Sequence, residues 1–545
     1  MADPDVIVIG GGPGGSTAAT MLARKGWSVR LLERERFPRD HIGESLLPAS
    51  LPVLDMLGVL PEVEKAGFLP KYGATMVWGK DTTPWSWYFR ETNKRHTHAY
   101  QVWRPTFDHL LLKNAAANGV EVLEEHRVLE VLFDGDRTTG VRYGDAQGVE
   151  HRVSARFVVD ASGQTGIIGR MRHLRQPDAS FQNLAVYAYY EGAERLPEPD
   201  ATNILVESYE HGWFWNIPLH TGLMSVGAVV DHTAGQEGIR TLGPEAYLRS
   251  QIAMAYRTNQ MLANARLVSG PHILRDWSYL SQEVAGDGWV LAGDAACFID
   301  PLFSSGVHLA LSAGVMAAAY VTSAIRTPEM REPAGKVYQE LYYQQYGHFR
   351  EMAKLFYSSN LSTDSYFWEA RRLLGDEPGL TPRESFIRAV AGQPPQGYER
   401  VVLERGHAPR SFVEDVRSME AARATRTQEA HRVLTNPATI GTAILVPAPD
   451  MRVERKPVLG DGEFEWGVVV TTSARPEGVP LSAAAAKLLT LIDGSRTAAG
   501  VIAALVDGLP PERADGLAQA AASVLQVLYV DGVIERFEVP DAVVS

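Results

Sequence analysis

The chain opens on Asp5-Val6-Ile7-Val8-Ile9-Gly10, a short unbroken apolar run, and turns through Gly10-Gly11-Gly12-Pro13-Gly14-Gly15 into a helical stretch from Ser16 to Lys25. No other feature restricts the fold as much. An apolar run without alternation suits a strand covered on both faces. A second such run, Val29 to Leu32, ends in Glu33 and completes a βαβ unit. Gly10, Gly12 and Gly15 keep the G-x-G-x-x-G spacing. There the first glycine permits the tight turn, the second lets backbone approach a pyrophosphate, and the third lets helix and strand pack closely. The helix start offers free N–H groups and the positive end of its dipole to phosphates. Glu33, about twenty residues on, stands where a carboxylate can accept ribose hydroxyls. The pattern predicts a nucleotide site and does not separate NAD from FAD.

The same theme returns twice, in Phe157-Val158-Val159-Asp160-Ala161-Ser162-Gly163 and in Trp289-Val290-Leu291-Ala292-Gly293-Asp294. Between them the residues from about 182 to 231 alternate as half-exposed antiparallel strands do. The interleaving predicts an α/β fold. A discontinuous nucleotide domain spans 1–330, and a mostly antiparallel β-sheet substrate domain, about 71–102 and 175–275, is inserted into it. Residues 331–445 read as a helical region and 455–545 as a small α+β, winged-helix-like appendage. Its expected parts are helices over 483–491, 497–505 and 514–529, then a hairpin through Val530-Asp531-Gly532-Val533.

Composition narrows the class. Of 545 residues 45% are apolar, enough for a large core, and the net charge of −13 argues against a nucleic-acid binder. Cys297 is the single cysteine, which excludes a disulfide framework or a Cys-rich metal site and reads as a small buried residue. No signal peptide is evident, and no apolar run reaches the ~18 residues of a spanning helix. A cytoplasmic protein with no membrane partner and no bound metal is expected.

Taken with the opening fingerprint, Asp160, Gly163, Gly293 and Asp294, and Arg104 in Gln101-Val102-Trp103-Arg104-Pro105-x-Phe107-Asp108, resemble the FAD-binding, Rossmann-like fold of aromatic hydroxylases and flavin-dependent halogenases. The resemblance implies an aspartate on the ribityl hydroxyls of FAD and an arginine near the flavin. Gly43-Glu44-Ser45, after His41, also matches, with Glu44 either on the flavin edge or capping a turn. No second Gly-rich unit for a nicotinamide follows, a mild sign that a separate flavin reductase supplies FADH2.

Trp213-Phe214-Trp215-Asn216-Ile217-Pro218 completes W-x-W-x-I-P, the second signature of the halogenases. Residues two apart on a strand share a face, so Trp213 and Trp215 are expected to shield the flavin from organic substrate, and the resemblance adds Pro218 to that wall. Its hydroperoxide would then oxidise chloride or bromide. Lys71, in Phe68-Leu69-Pro70-Lys71-Tyr72-Gly73, matches the active-site lysine that guides hypohalous acid, with Lys65 and Lys80 as neighbouring alternatives. In Asp300-Pro301-Leu302-Phe303-Ser304-Ser305-Gly306-Val307-His308 the backbone N–H groups of Ser305 and Gly306 are candidates for halide binding. Phe303 stands where tryptophan halogenases carry a glutamate, which brings the sequence closer to halogenases of phenols and pyrroles, many acting on carrier-protein thioesters. The resemblance implies an FADH2- and O2-dependent halogenase of natural-product biosynthesis, acting on a phenolic ring, free or tethered to an acyl or peptidyl carrier protein. Two other readings compete. An aromatic hydroxylase would show substrate-triggered NAD(P)H oxidation, and a non-catalytic scaffold would fail to bind FAD. Phe356, Tyr357, Tyr366, Phe367 and Trp368 are expected at the substrate entrance, and Arg371-Arg372 with the helices between 400 and 432 could form a basic docking patch.

Overall fold

The computed structural model describes residues 3–79, 83–358, 381–392, 425–473, 475–508 and 510–538. Two compact units emerge: Met1–Glu399 with Asp461–Glu463, and Arg400–Gly460 with Phe464–Ser545.

The first unit grows from the opening βαβ. β1 (Val6–Ile9) is fully buried and passes through the glycine turn into α1 (Pro13–Arg24). Proline suits the helix start, where its missing N–H leaves no bond unmade. β2 (Val29–Leu32) lies parallel to β1. The chain then leaves the sheet through β3 (Leu69–Lys71), β4 (Gly73–Val77) and β5 (Trp85–Tyr88). It returns by α2 (Arg104–Ala117) and β6 (Glu121–Leu123), which pairs with β2. After a small three-stranded sheet within 127–154, β7 (Phe157–Asp160) takes the other side of β1.

A long antiparallel excursion follows: β8 (Arg175–Glu191), β9 (Ile204–Tyr209), β10 (Gly212–Pro218), β11 (Leu223–Asp231) and β12 (Arg266–Ser281). β13 (Ala285–Gly286) and β14 (Trp289–Leu291) complete the nucleotide sheet, in the order β13-β14-β7-β1-β2-β6. With β15 (Cys297–Phe298) the inserted sheet has eight strands, ordered β15-β12-β8-β11-β10-β9-β4-β5. Its pleat sorts the side chains. Leu184, Val186, Phe214, Val226 and Val230 enter an apolar cluster with Tyr247, Leu248 and Ile252, whereas Trp213 and Trp215 take the opposite face.

α3 (Gly306–Arg326) packs on α1, and α4 (Arg331–Ser358) packs on α3. By length and mean composition α3 is, among the described residues, long and apolar enough to cross a membrane, although no unbroken apolar run in it reaches the ~18 residues of a spanning helix. His308, Ser312, Thr322 and Ser323 interrupt the run and hide it from a simple count. Most of the helix is buried inside the unit, as a core helix is. α5 (Pro382–Val390) begins with a capping box between Thr381 and Glu384.

The second unit carries β16 (Ile444–Pro447), the antiparallel trio β17 (Arg452–Leu459), β18 (Phe464–Thr472) and β19 (Arg475–Leu481), helices α6 (Ala483–Thr490), α7 (Ala498–Val506) and α8 (Pro511–Val530), and β20 (Ile534–Glu538). Leu445, Leu488, Val501, Leu525 and Ile534 share its core. The Ser482 and Thr497 hydroxyls accept from the N–H groups of Ala485 and Gly500, which fixes two helix starts. Two expectations change here. β16 pairs with β20, so a boundary between 445 and 455 would cut a sheet. No hairpin forms at 530–533: Gly532, at φ +77°, ends α8, with the Val533 N–H on the Leu528 carbonyl, and leads into β20. An Asp-Gly pair serves a helix C-terminus as readily as a hairpin.

Candidate active site

The carboxyl ends of β1, β7 and β14 open onto one cavity of about 860 Å³, where a doubly wound sheet places its ligand. Gly10, Gly12, Glu33, Glu44, Arg104, Gly163, Gly293 and Asp294 all line it. Gly10 has φ +99°, and a Cβ there would lie 2.5 Å from the Ala161 carbonyl oxygen. Gly15 lies behind the turn, where a Cβ would sit 1.9 Å from the Gly10 carbonyl oxygen. Glu33 accepts the Gly11 N–H on one oxygen (2.7 Å) and the Glu35 N–H on the other (2.8 Å), and each oxygen keeps a lone pair for a further donor.

Arg104 is 3% exposed and is no surface residue. It grips Asp108 with two nitrogens (2.7 and 2.9 Å) and donates to the Ile42 and Gly43 carbonyls, which pins the 40–45 loop to α2. Burial alone would raise the Asp108 carboxyl, but the Arg104 charge holds it below its ordinary value. Burial pushes the Asp294 carboxyl up to about 6. Asp160 departs from expectation. Its carboxylate accepts the Ser162 N–H and hydroxyl and the Ile168 N–H, so it shapes the turn after β7 and does not line the cavity. Arg39 was not singled out in the sequence, although it lies close before Gly43-Glu44-Ser45. Its Nη1 is buried without a hydrogen bond, 3.4 Å from Asp108, and its Nη2 lies 3.4 Å from where a Cβ of Gly12 would be.

Glu44 is fully buried, and burial pushes its carboxyl up to about 7 despite bonds from the Tyr189 hydroxyl (2.8 Å) and the Ser225 hydroxyl (3.1 Å). Ser225 accepts the indole N–H of Trp215 (3.2 Å). Trp213 lies beside Trp215 with ring centroids 6.1 Å apart and donates to the Tyr357 hydroxyl at 2.5 Å. Both indoles line the cavity. Pro218 does not: it pairs with Met224 at the end of β10, and Ile217 takes the wall position. Trp215 also fills the space a side chain at Gly227 would need, its Cζ2 being 2.2 Å from a Cβ there. Gly227→Ala is expected to destabilise the fold by about 1–3 kcal/mol and to blue-shift or quench tryptophan emission. A denaturant midpoint and spectrum unchanged from wild type would contradict the packing.

Lys71 lies outside this cavity, in a second one of about 20 Å³ with Leu47, Phe89, Phe303, Ser304 and Val390. It is 2% exposed, donates to the Leu46 carbonyl at 3.0 Å and lies 5.6 Å from the Phe89 ring centroid. Among the described residues no carboxylate pairs with it, and desolvation lowers its pKa to about 7. Phe303 packs edge-on against Phe356 (5.2 Å), so an aromatic wall stands where a carboxylate could have been. Of the neighbouring lysines, Lys65 is exposed and paired with Glu62 (2.7 Å), and Lys80 lies outside the described residues. Ser304, with φ +58°, and Ile204 line both cavities, so the wall between them is one residue thick. Ser305 and Gly306, at the start of α3, face the larger cavity, and nothing lies within 4 Å of where a Gly306 Cβ would be.

Cys297 is buried, and burial pushes its thiol up to about 12. No group of potential metal ligands occurs among the described residues. Of the residues expected at the substrate entrance, Tyr357 is 36% exposed and turns its hydroxyl inward to Trp213 and Asp300, whereas Phe356 is buried and backs Phe303. Tyr366, Phe367, Trp368, Arg371 and Arg372, and residues 400–424, lie outside the described residues. Tyr189 and Ser225 carried no local signal, since each acts through a partner distant in sequence.

A cavity of this size, whose turn excludes side chains and which is lined by an arginine, a carboxylate after the second strand and two indoles, fits a flavin dinucleotide. The model of the tryptophan halogenase family matches residues 5–97 and 88–393. A tryptophan 2-halogenase of Chondromyces crocatus is 38% identical over 382 residues, 69% of this chain and 72% of that protein. A 1H-pyrrole-2-carbonyl-(peptidyl-carrier protein) chlorinase of Pseudomonas fluorescens is 30% identical over 395 residues, 68% of this chain and 87% of that one. The crystal structure of CmlS, a flavin-dependent halogenase, superposes with a TM-score of 0.69 at 27% identity, covering 98% of this chain and 96% of the other. With nucleotide turn, indole wall and family match in agreement, the chain belongs to the flavin-dependent halogenases and is an FAD-dependent enzyme of that class.

Proposed function

We propose that this enzyme forms hypohalous acid in the larger cavity and uses it at Lys71 to halogenate an electron-rich ring, phenolic or pyrrolic. The observation that carries the reading is the lysine sealed in its own apolar chamber, one residue away from the flavin cavity.

Reduced FAD from a separate reductase, with dioxygen and halide, supplies the hypohalous acid when bound. Gly10, Gly12 and the start of α1 would take its pyrophosphate, with Arg39 adding positive charge and Glu33 accepting ribose hydroxyls. Arg104 holds the loop that carries Glu44, and Asp294 lies across the cavity. Ser305 and Gly306 offer the halide the unpaired N–H groups of a helix start. Trp213 and Trp215 keep an organic ring out, so the small halide is what becomes oxidised. The acid then passes Ser304 to Lys71. Near neutral pH, at about 7, that side chain has both its forms populated. The ammonium donates a hydrogen bond to the oxygen of the acid, making hydroxide a better leaving group. The amine can instead take the halogen with loss of water. Either way the ring carbon gains halogen, its C–H bond breaks, and water carries off the oxygen.

Phe303 in place of a carboxylate, together with the apolar chamber, supports a ring activated by its own hydroxyl or nitrogen. The pyrrole-carrier relative supports a tethered substrate. The test is mass spectrometry of products from the protein, FAD, a flavin reductase and bromide with free and carrier-bound phenols and pyrroles. A bromine isotope doublet on a phenol or pyrrole is expected. Bromination confined to free tryptophan, or a gain of oxygen alone, would overturn the reading.

A further inference from the structure

Asp300 is a buried carboxyl that the mechanism above leaves unused. It caps the turn before Ser305: its Oδ1 accepts the Leu302 N–H at 2.9 Å. Its Oδ2 accepts the Tyr357 hydroxyl at 2.8 Å and the Asn183 amide at 3.3 Å. The same Tyr357 hydroxyl accepts the indole N–H of Trp213 at 2.5 Å. The first indole is therefore tied to a buried carboxyl through one hydroxyl, just as Trp215 is tied through Ser225 to Glu44. Of the two carboxyls, Asp300 belongs to the turn that presents Ser305 and Gly306, and it lines the same cavity as they do.

An anion and an ionised carboxylate that line one cavity repel each other. The groups that bond to Asp300 bring no charge to offset this: the phenol of Tyr357 on α4, the amide of Asn183 on β8 and the N–H of Leu302, with the Trp213 indole behind them on β10. The other charged or titratable groups that line the cavity belong to other elements. Glu33, Arg34, Glu35, Arg39, Asp40, His41 and Glu44 follow β2, and Arg104 starts α2. His126 and Arg127 lie before β7, Arg170 after it, and Asp294 in the turn after β14; none of these groups bonds to Asp300. Arg104 is already engaged with Asp108. A halide in the 301–306 turn is accommodated most simply by a proton on Asp300.

We propose that Asp300 is a positioning residue that couples halide binding to the uptake of one proton, an inference that rests on placing the halide at Ser305 and Gly306. Burial already holds this carboxyl up at about 6, and a neighbouring halide raises it further. Linkage then fixes the sign. Below about 6 halide affinity is independent of pH, and above it affinity falls about tenfold per unit until the halide-bound form also ionises. Halide uptake would thus be strongest under mildly acidic conditions.

Chloride binding to the FAD-loaded protein can be read directly from chlorine NMR line broadening across pH, with proton uptake followed in a pH-stat. The expected wild-type result is the tenfold-per-unit slope and one proton per chloride. In Asp300→Asn the affinity is expected to be flat and proton uptake lost. Tyr357→Phe removes a donor that lowers the Asp300 pKa, so the break is expected to move to higher pH; this variant decides the matter if Asp300→Asn does not fold. A wild-type slope in Asp300→Asn, or an unmoved break in Tyr357→Phe, would overturn the coupling alone. Chloride that binds nowhere in the wild-type protein would overturn the halide assignment and the coupling with it.

Discussion

Lys71→Met is expected to lower halogenation by about 10²–10⁴-fold, the range for removing a positioned proton-transferring group, while FADH2 and oxygen are still consumed. The substitution also has a stability signature. In the unfolded chain Lys71 takes its ordinary value of 10.5, and in the folded protein burial lowers this to about 7. Between the two values the unfolded state binds one proton more, so wild-type stability rises with pH over that window, and below about 7 the cost of the buried charge is fully present. That cost is up to about 5 kcal/mol, set against about 1–3 kcal/mol for leaving the Leu46 carbonyl unpaired in the variant. Lys71→Met should therefore be the more stable protein below neutral pH and lose its advantage in alkali. Denaturant midpoints measured across pH test this. A difference that grows toward high pH would contradict the burial of a titrating amine.

Gly15→Ala should abolish retention of FAD. The new Cβ would meet the Gly10 carbonyl oxygen at 1.9 Å, and Gly10, at φ +99° and with its own Cβ position 2.5 Å from the Ala161 carbonyl oxygen, cannot retreat. The nearest colliding atoms are backbone, so the turn must open, at about 1–3 kcal/mol for each strained residue. FAD affinity is expected to fall by about a hundredfold, equivalent to nearly 3 kcal/mol. Flavin absorbance of the purified protein and equilibrium dialysis report it. Wild-type retention would show that the pyrophosphate does not lie over this turn.

Where physics is local, the sequence disclosed the site. The βαβ opening, the two later strand-to-turn segments and the shared face of Trp213 and Trp215 each follow from local periodicity along the chain. What stayed hidden depends on distant partners. Asp160 and Asp294 follow similar strands and read alike, yet only tertiary structure shows that Asp160 bonds its own turn while Asp294 reaches the cavity. Nothing near Lys71 announces that Leu46, Phe303 and Val390 enclose it. Likewise Tyr357 reaches Trp213 and Asp300 across 144 and 57 residues of chain, beyond any local pattern. The Asp531-Gly532 pair shows the limit from the other side, since one dipeptide suits two kinds of turn and packing decides between them.

A single-turnover experiment separates the making of hypohalous acid from its use. Wild type and Lys71→Met, each loaded with FADH2, would be mixed with oxygen, bromide, an accepted substrate and, in parallel, a small diffusible bromine trap. Brominated substrate is expected from wild type. From Lys71→Met, brominated trap is expected at near wild-type yield, with substrate unchanged. Substrate brominated equally well by the variant would contradict the central role of the lysine chamber.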